Sequence, residues 1–146
     1  MLANINFNSN TFWLLRIEYI CLLVVSLIAL YQHLQEINWI HFAFLFAIID
    51  LIGYIPGYFY VRYTKKTVPK RYFYILYNIT HNFGVVILVV FISWQLDLLT
   101  WSFLAIPIHL FGDRGLLGNF YKPFESPFTE ATVTNYMELK QNNEKI

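Results

Sequence analysis

Cysteine occurs once in this chain of 146 residues, at Cys21. A single thiol can close no internal disulfide and cannot form a paired-cysteine metal site, so neither device is available to this fold. Charge is scarce as well. Asp, Glu, Lys and Arg together make up 13% of the residues, about half of the ~25% usual in soluble domains. The ten basic residues are too dispersed to form the stripe that DNA or RNA requires, and nucleic acid is therefore not expected as a partner. No HExxH pair, cofactor fingerprint, internal repeat or low-complexity tract is present.

What fills the space is apolar. Hydrophobic residues reach 58%, above the ~45–50% of soluble chains, and a protein of this size with so little polar surface is best solvated by lipid. Four apolar runs are long enough to matter: residues 11–32, 39–60, 72–94 and 98–117. Each is near the twenty residues that span a ~30 Å hydrocarbon core at ~1.5 Å per residue. The expectation is an all-α fold, a four-helix transmembrane bundle over residues 1–121, with a polar tail over 122–146. The first run is not read as a cleaved signal, because Arg16 and Glu18 lie inside it and no basic segment precedes it. Pro107 should kink the fourth run. Short connections make consecutive spans antiparallel neighbours, which is up-and-down topology.

Orientation follows from lysine and arginine. Residues 62–71 carry five of the ten, the other two connections carry none, and with four spans every basic residue falls on one side. The positive-inside rule makes that side, with both termini, cytoplasmic, and the compartment the cell membrane. The tail beyond residue 122 is expected to be loose.

Ionisable groups within hydrocarbon cost a few kcal/mol each and mark functional sites. Glu18 in the first span, Asp50 in the second, His81 in the third, and His109 and Asp113 in the fourth fall at about one depth in the cytoplasmic half. His109 and Asp113 are four apart and share a helix face. Asp50, Gly53 and Gly57 form another stripe, in which glycine lets a neighbouring helix come close. These five are the candidate reacting groups. Of Arg16 and Glu18, two residues apart and facing opposite ways, Glu18 is assigned to the cluster and Arg16 to the headgroups. Arg16, Asn78 and Arg114 are supporting residues, Asn78 and Asn82 hydrogen-bond between helices, and His33 and His41 lie at the outer interface.

The set Leu14-Leu-Arg16-Ile-Glu18, Asp50 with Gly53-Tyr54, Tyr77-Asn78-Ile-Thr-His81 and His109-Leu-Phe-Gly-Asp113-Arg114 resembles a family of small bacterial four-span membrane proteins, domain of unknown function 4260. The resemblance covers roughly residues 14–122 and implies a fold and a polar signature. It implies no reaction, cofactor or substrate.

Three functions are open at this point. The cluster could be an intramembrane enzyme site for a lipid-soluble small molecule, working by acid/base chemistry or through a divalent metal such as Zn, Fe or Mn held by His81, His109 and Asp113. It could be a proton or ion relay in a homo-oligomer, or a polar network that only fixes one bundle arrangement.

Overall fold

A computed structural model describes residues 9–130. Helix α1 covers Ser9–Gln32, α2 Trp39–Gly53, α3 Ile55–Thr64, α4 Arg71–Thr80, α5 Phe83–Gln95 and α6 Ala105–Gly112. No strand occurs among the described residues, so the chain is all-α. One helix, over Asn10–Gln32, is by itself long and apolar enough to cross a membrane. The pairs α2–α3 and α4–α5 meet the same test only when each is counted as one span, bent by 42° and 53°.

Both bends have local causes. Pro56 stands at the start of α3, where its missing N–H and its ring interrupt the helical ladder and force a restart after Gly53. The second break is capped from within: the Asn82 side chain accepts from the amides of Gly84, at 2.7 Å, and Val85, at 3.3 Å, the arrangement that opens a new helix. Two runs expected to be continuous are therefore broken helices, and the second break falls beside His81.

The last apolar run is also not one helix. A 3-10 turn at Trp101–Leu104 leads into α6, and a single π-helical turn, Asp113–Leu117, ends it. Pro107 falls in the first turn of α6, where an N–H would have no helical partner, and not in the middle of a continuous helix as expected.

Along α1, Phe12, Arg16, Tyr19, Leu23 and Ser26 form a stripe at helical spacing, and the helix packs on α6 and the π turn. Ile20 and Tyr19 touch Gly115 so closely that a Cβ there would lie 2.9 Å from the Ile20 side chain. Helix α2 packs on α4 and α6. Gly53 sits at the crossing: a Cβ there would fall 2.2 Å from Thr80 Oγ1 and 3.3 Å from the Tyr77 Cα. Glycine is required here so that α2 can approach α4.

Residues 122–130 differ most from expectation, being packed where a loose tail was expected. Asn78 donates to the Lys122 carbonyl at 3.0 Å and accepts from its amide at 2.7 Å. The Tyr74 hydroxyl donates to the Ser126 carbonyl, and the Phe128 amide to that of Thr67 at 3.1 Å. The Phe128 ring is fully buried among Tyr54, Tyr74 and Tyr77, against Gly57. Gly57 thus accommodates this segment and not another helix. Residues 131–146, the rest of the expected tail, lie outside the described residues. Helix α5 has no buried residue, and its faces present Ile87, Leu88, Phe91 and Trp94.

Candidate metal centre

Four side chains from four helical segments converge. Asp50 comes from α2, His81 from the end of α4, His109 from α6, and Asp113 from the start of the π turn. His81 Nε2 lies 3.6 Å from Asp50 Oδ1 and 3.3 Å from Asp113 Oδ2. His109 Nε2 lies 3.7 Å from Asp50 Oδ2 and 4.0 Å from Asp113 Oδ2. The two imidazole centroids are 5.7 Å apart.

These separations are informative because they are too long. Nitrogen and oxygen joined by a hydrogen bond stand ~2.7–3.2 Å apart. Both histidines are buried, at 2% and 5% exposed, and neither His81 Nε2 nor either ring nitrogen of His109 has an aligned hydrogen-bond partner. Buried polar atoms without partners are costly and call for an explanation. Donors that bind one ion at ~2.0–2.2 Å with tetrahedral angles are held about 3.3–3.6 Å from one another. The closest donor atoms of Asp50, His81 and His109 all lie within 4.8 Å of one another, and their carboxylate-to-imidazole distances are near that spacing.

The other nitrogen of His81 is tied down, as a metal ligand's usually is. Its Nδ1 lies 2.9 Å from the Tyr77 carbonyl and 3.0 Å from Thr80 Oγ1. Donation from Nδ1 to the carbonyl leaves the Nε2 lone pair facing the carboxylates. The Phe46 ring meets His109 edge to face, at 4.7 Å. Asp50 is the opening of the site, with its side chain 39% exposed.

Comparison of the chain with known protein families, curated proteins and solved structures returned no match. The centre therefore has to be read from its own geometry.

One expectation needs correction. Glu18 is exposed on α1 and does not join the cluster. The inward stripe of α1 is taken by Arg16 and Tyr19, and Glu18, two residues from Arg16, points elsewhere. Asp50 forms with the two histidines a group of donors within 4.8 Å of one another. Asp113 lies beside the same two imidazoles, 3.3 and 4.0 Å from their Nε2 atoms.

The supporting residues have defined places. Arg16 donates to the carbonyls of Gly115, at 3.0 Å, and Leu116, at 2.7 Å, a cation closing the end of a helical segment. Its guanidinium lies over the Trp13 ring, 4.7 Å from the centroid. Arg114 is buried and donates to the Tyr19 hydroxyl at 2.7 Å and to the His81 carbonyl at 2.9 Å. That carbonyl is freed by the break after α4, so Arg114 fixes the backbone that carries the His81 imidazole. Rings of Phe83, Tyr19, Tyr121 and Phe120 enclose its guanidinium.

Two neighbours were not found from sequence. Tyr77 stacks on His81 at 3.9 Å and 15°, and its buried hydroxyl has no hydrogen-bond partner. Lys122 is 3% exposed, in a cage of Tyr54, Tyr77 and Phe128. Burial pushes its amine down to about 8. Tyr77 stands one turn before His81 on the same helix, a spacing legible in the sequence, whereas Lys122 reaches the site only because residues 119–130 fold back.

Proposed function

We propose that this chain is a four-span integral membrane protein of the cell membrane, with both ends cytoplasmic, whose buried centre binds a divalent metal and acts on a lipid-soluble substrate. The observation that carries the metal is the set of unpartnered imidazole nitrogens facing carboxylates at 3.3–4.0 Å. The membrane reading rests on the candidate spans and the apolar exposed surface. The run of helical turns from residue 101 to 117 supports a fourth crossing. The likeness to the bacterial four-span family is retained as part of this proposal, on the polar signature alone.

Asp50, His81 and His109 are the ligands, a two-histidine, one-carboxylate set of the kind that suits Fe, Zn or Mn and leaves positions open. A divalent ion held there supplies Lewis acidity and makes a water acidic enough to ionise near neutral pH. Asp113, 3.3 Å from His81 Nε2, would be the carboxylate left beside the ion to accept a proton. Arg114 and Thr80 hold His81 in position. The exposed edge of Asp50 is the route by which a substrate reaches the centre from the surrounding lipid.

The test is elemental analysis of the chain purified in detergent without chelators, followed by zinc titration of the native chain and of Asp50→Asn, His81→Gln and His109→Gln. Stoichiometric metal in the native protein, lost in all three variants while helicity is kept, is the expected result. A native protein that carries none and binds zinc, manganese or ferrous iron no better than His109→Gln would overturn the metal reading. The same histidines would then be structural.

A further inference from the structure

The charges around the centre limit what can bind there. Asp50 and Asp113 contribute two negative charges, and two buried cations stand close by. Arg114 is bonded to the His81 carbonyl. Lys122 lies over the ring of Tyr77, with Nζ 5.0 Å from its centroid, and within electrostatic range of both Asp113 and Asp50. With neutral imidazoles the four charges cancel. A divalent ion added to that set leaves the centre with two uncompensated positive charges, and uncompensated charge away from water is expensive. The metal-loaded centre therefore needs an anion.

Two side chains are already in place to receive one. No carboxylate lies within 4 Å of the Lys122 ammonium among the described residues, and the ammonium donates to a backbone carbonyl, that of Glu130, at 3.0 Å. Its remaining protons face aromatic rings. The Tyr77 hydroxyl is a buried donor with no acceptor, on a ring lying flat against His81 and within electrostatic range of Asp113 and Asp50. An ammonium with no carboxylate within 4 Å among the described residues, lying over the Tyr77 ring, and a phenol without an acceptor on that same ring, which stacks on His81, are complementary to an oxyanion.

We propose that Tyr77 and Lys122 form the anion-recognising part of this centre and that its substrate is an amphiphile bearing a phosphate or carboxylate, with its acyl or alkyl portion left in the bilayer. This rests on the metal reading above. The anionic oxygen would accept from the Tyr77 hydroxyl and would neutralise Lys122. The apolar portion leaves past the exposed edge of Asp50, where the neighbouring surface of α2 is apolar, with Phe46, Leu51 and Ile52 exposed.

The experiment is calorimetric titration of the detergent-solubilised full chain, with and without saturating zinc, using dodecyl phosphate, inorganic phosphate and dodecyltrimethylammonium as probes. Zinc should raise the affinity for dodecyl phosphate at least about tenfold, and dodecyl phosphate should bind more tightly than inorganic phosphate. The cationic amphiphile should show no such gain. Tyr77→Phe should cost about tenfold in dodecyl phosphate affinity, as expected for one hydrogen bond to a charged group. Lys122→Met separates this role from mere packing, because removing a cation beside the ion lets zinc affinity hold or rise while phosphate affinity falls. Equal affinity for inorganic and dodecyl phosphate would overturn the amphiphile. An affinity for dodecyl phosphate indifferent to zinc, or unchanged in both variants, would overturn the anion site. Failure of the native chain to bind zinc at all would instead overturn the metal centre, so the two readings fail by different results.

Discussion

Gly53→Ala tests how the fold builds the centre. The added Cβ would lie 2.2 Å from Thr80 Oγ1, about 1.3 Å short of the ~3.5 Å at which such atoms rest in contact. Thr80 cannot simply turn away, since its hydroxyl lies 3.1 Å from the carbonyls of Leu76 and Tyr77 and 3.0 Å from His81 Nδ1. The Tyr77 Cα, 3.3 Å from the same point, is backbone and yields less readily. Helix α2 must then move away from α4 by roughly 1 Å, taking Asp50, one turn earlier, with it. Overpacking of this kind costs about 1–3 kcal/mol. The same shift takes the Asp50 carboxylate, now 3.6 Å from His81 Nε2, out of ligand range, and zinc affinity should fall about 10–100-fold, as when the supports of a metal ligand are disturbed. Thermal unfolding in a mild detergent and zinc titration read the two effects separately. In Gly53→Ala/Thr80→Ala the obstructing hydroxyl is gone, and stability should partly return. Should Gly53→Ala melt and bind zinc like the native chain, the close crossing of α2 and α4 would not be what delivers Asp50 to His81.

Other expectations follow from the same packing. Phe128→Ala should cost about 3–5 kcal/mol, the usual loss for a fully buried phenylalanine, and should hasten trypsin cleavage between residues 62 and 71, which the segment 119–130 braces; an unaltered digestion rate would show that the segment does not hold that connection. Lys122 loses its proton near pH 8 in the folded chain, against 10.5 for a free side chain. Between those values the unfolded chain binds the extra proton, so stability should rise with pH across that window and the slope should disappear in Lys122→Met; an identical slope in that variant refutes the assignment. For topology, single cysteines placed at positions 35, 66 and 95 in a Cys21→Ser background should label from outside intact cells at 35 and 95 only. Labelling at 66 would reverse the proposed orientation.

Much of the helical content, and much of the candidate centre, could be read along the chain. Apolar runs of about twenty residues permit little but helix, because a backbone surrounded by lipid must satisfy its own hydrogen bonds. The four-residue spacing of His109 and Asp113 and the stripe of Asp50 with Gly53 place these groups on common faces, since helical periodicity is a local property. Pro56 and the Asn82-Phe83-Gly84 cap are the local signals of the two breaks. The continuity of the apolar runs does not reveal them, because it measures burial and is insensitive to a bend.

What the chain could not decide alone was direction and distance. Whether Arg16 or Glu18 turned inward depended on which neighbour was packed against α1, and the carbonyls of Gly115 and Leu116 at the π turn gave the inward place to a cation. Lys122 belongs to the site only because Asn78 pairs with its backbone and Phe128 fills the space left by Gly57. Those are contacts across more than forty residues of sequence, for which local periodicity carries no information. The sequence determined which chemical groups lie within the apolar runs and on which helix faces; tertiary packing alone decided which of them meet, because convergence at 3–4 Å is set by how closely helices can approach, and that is a property of pairs of surfaces.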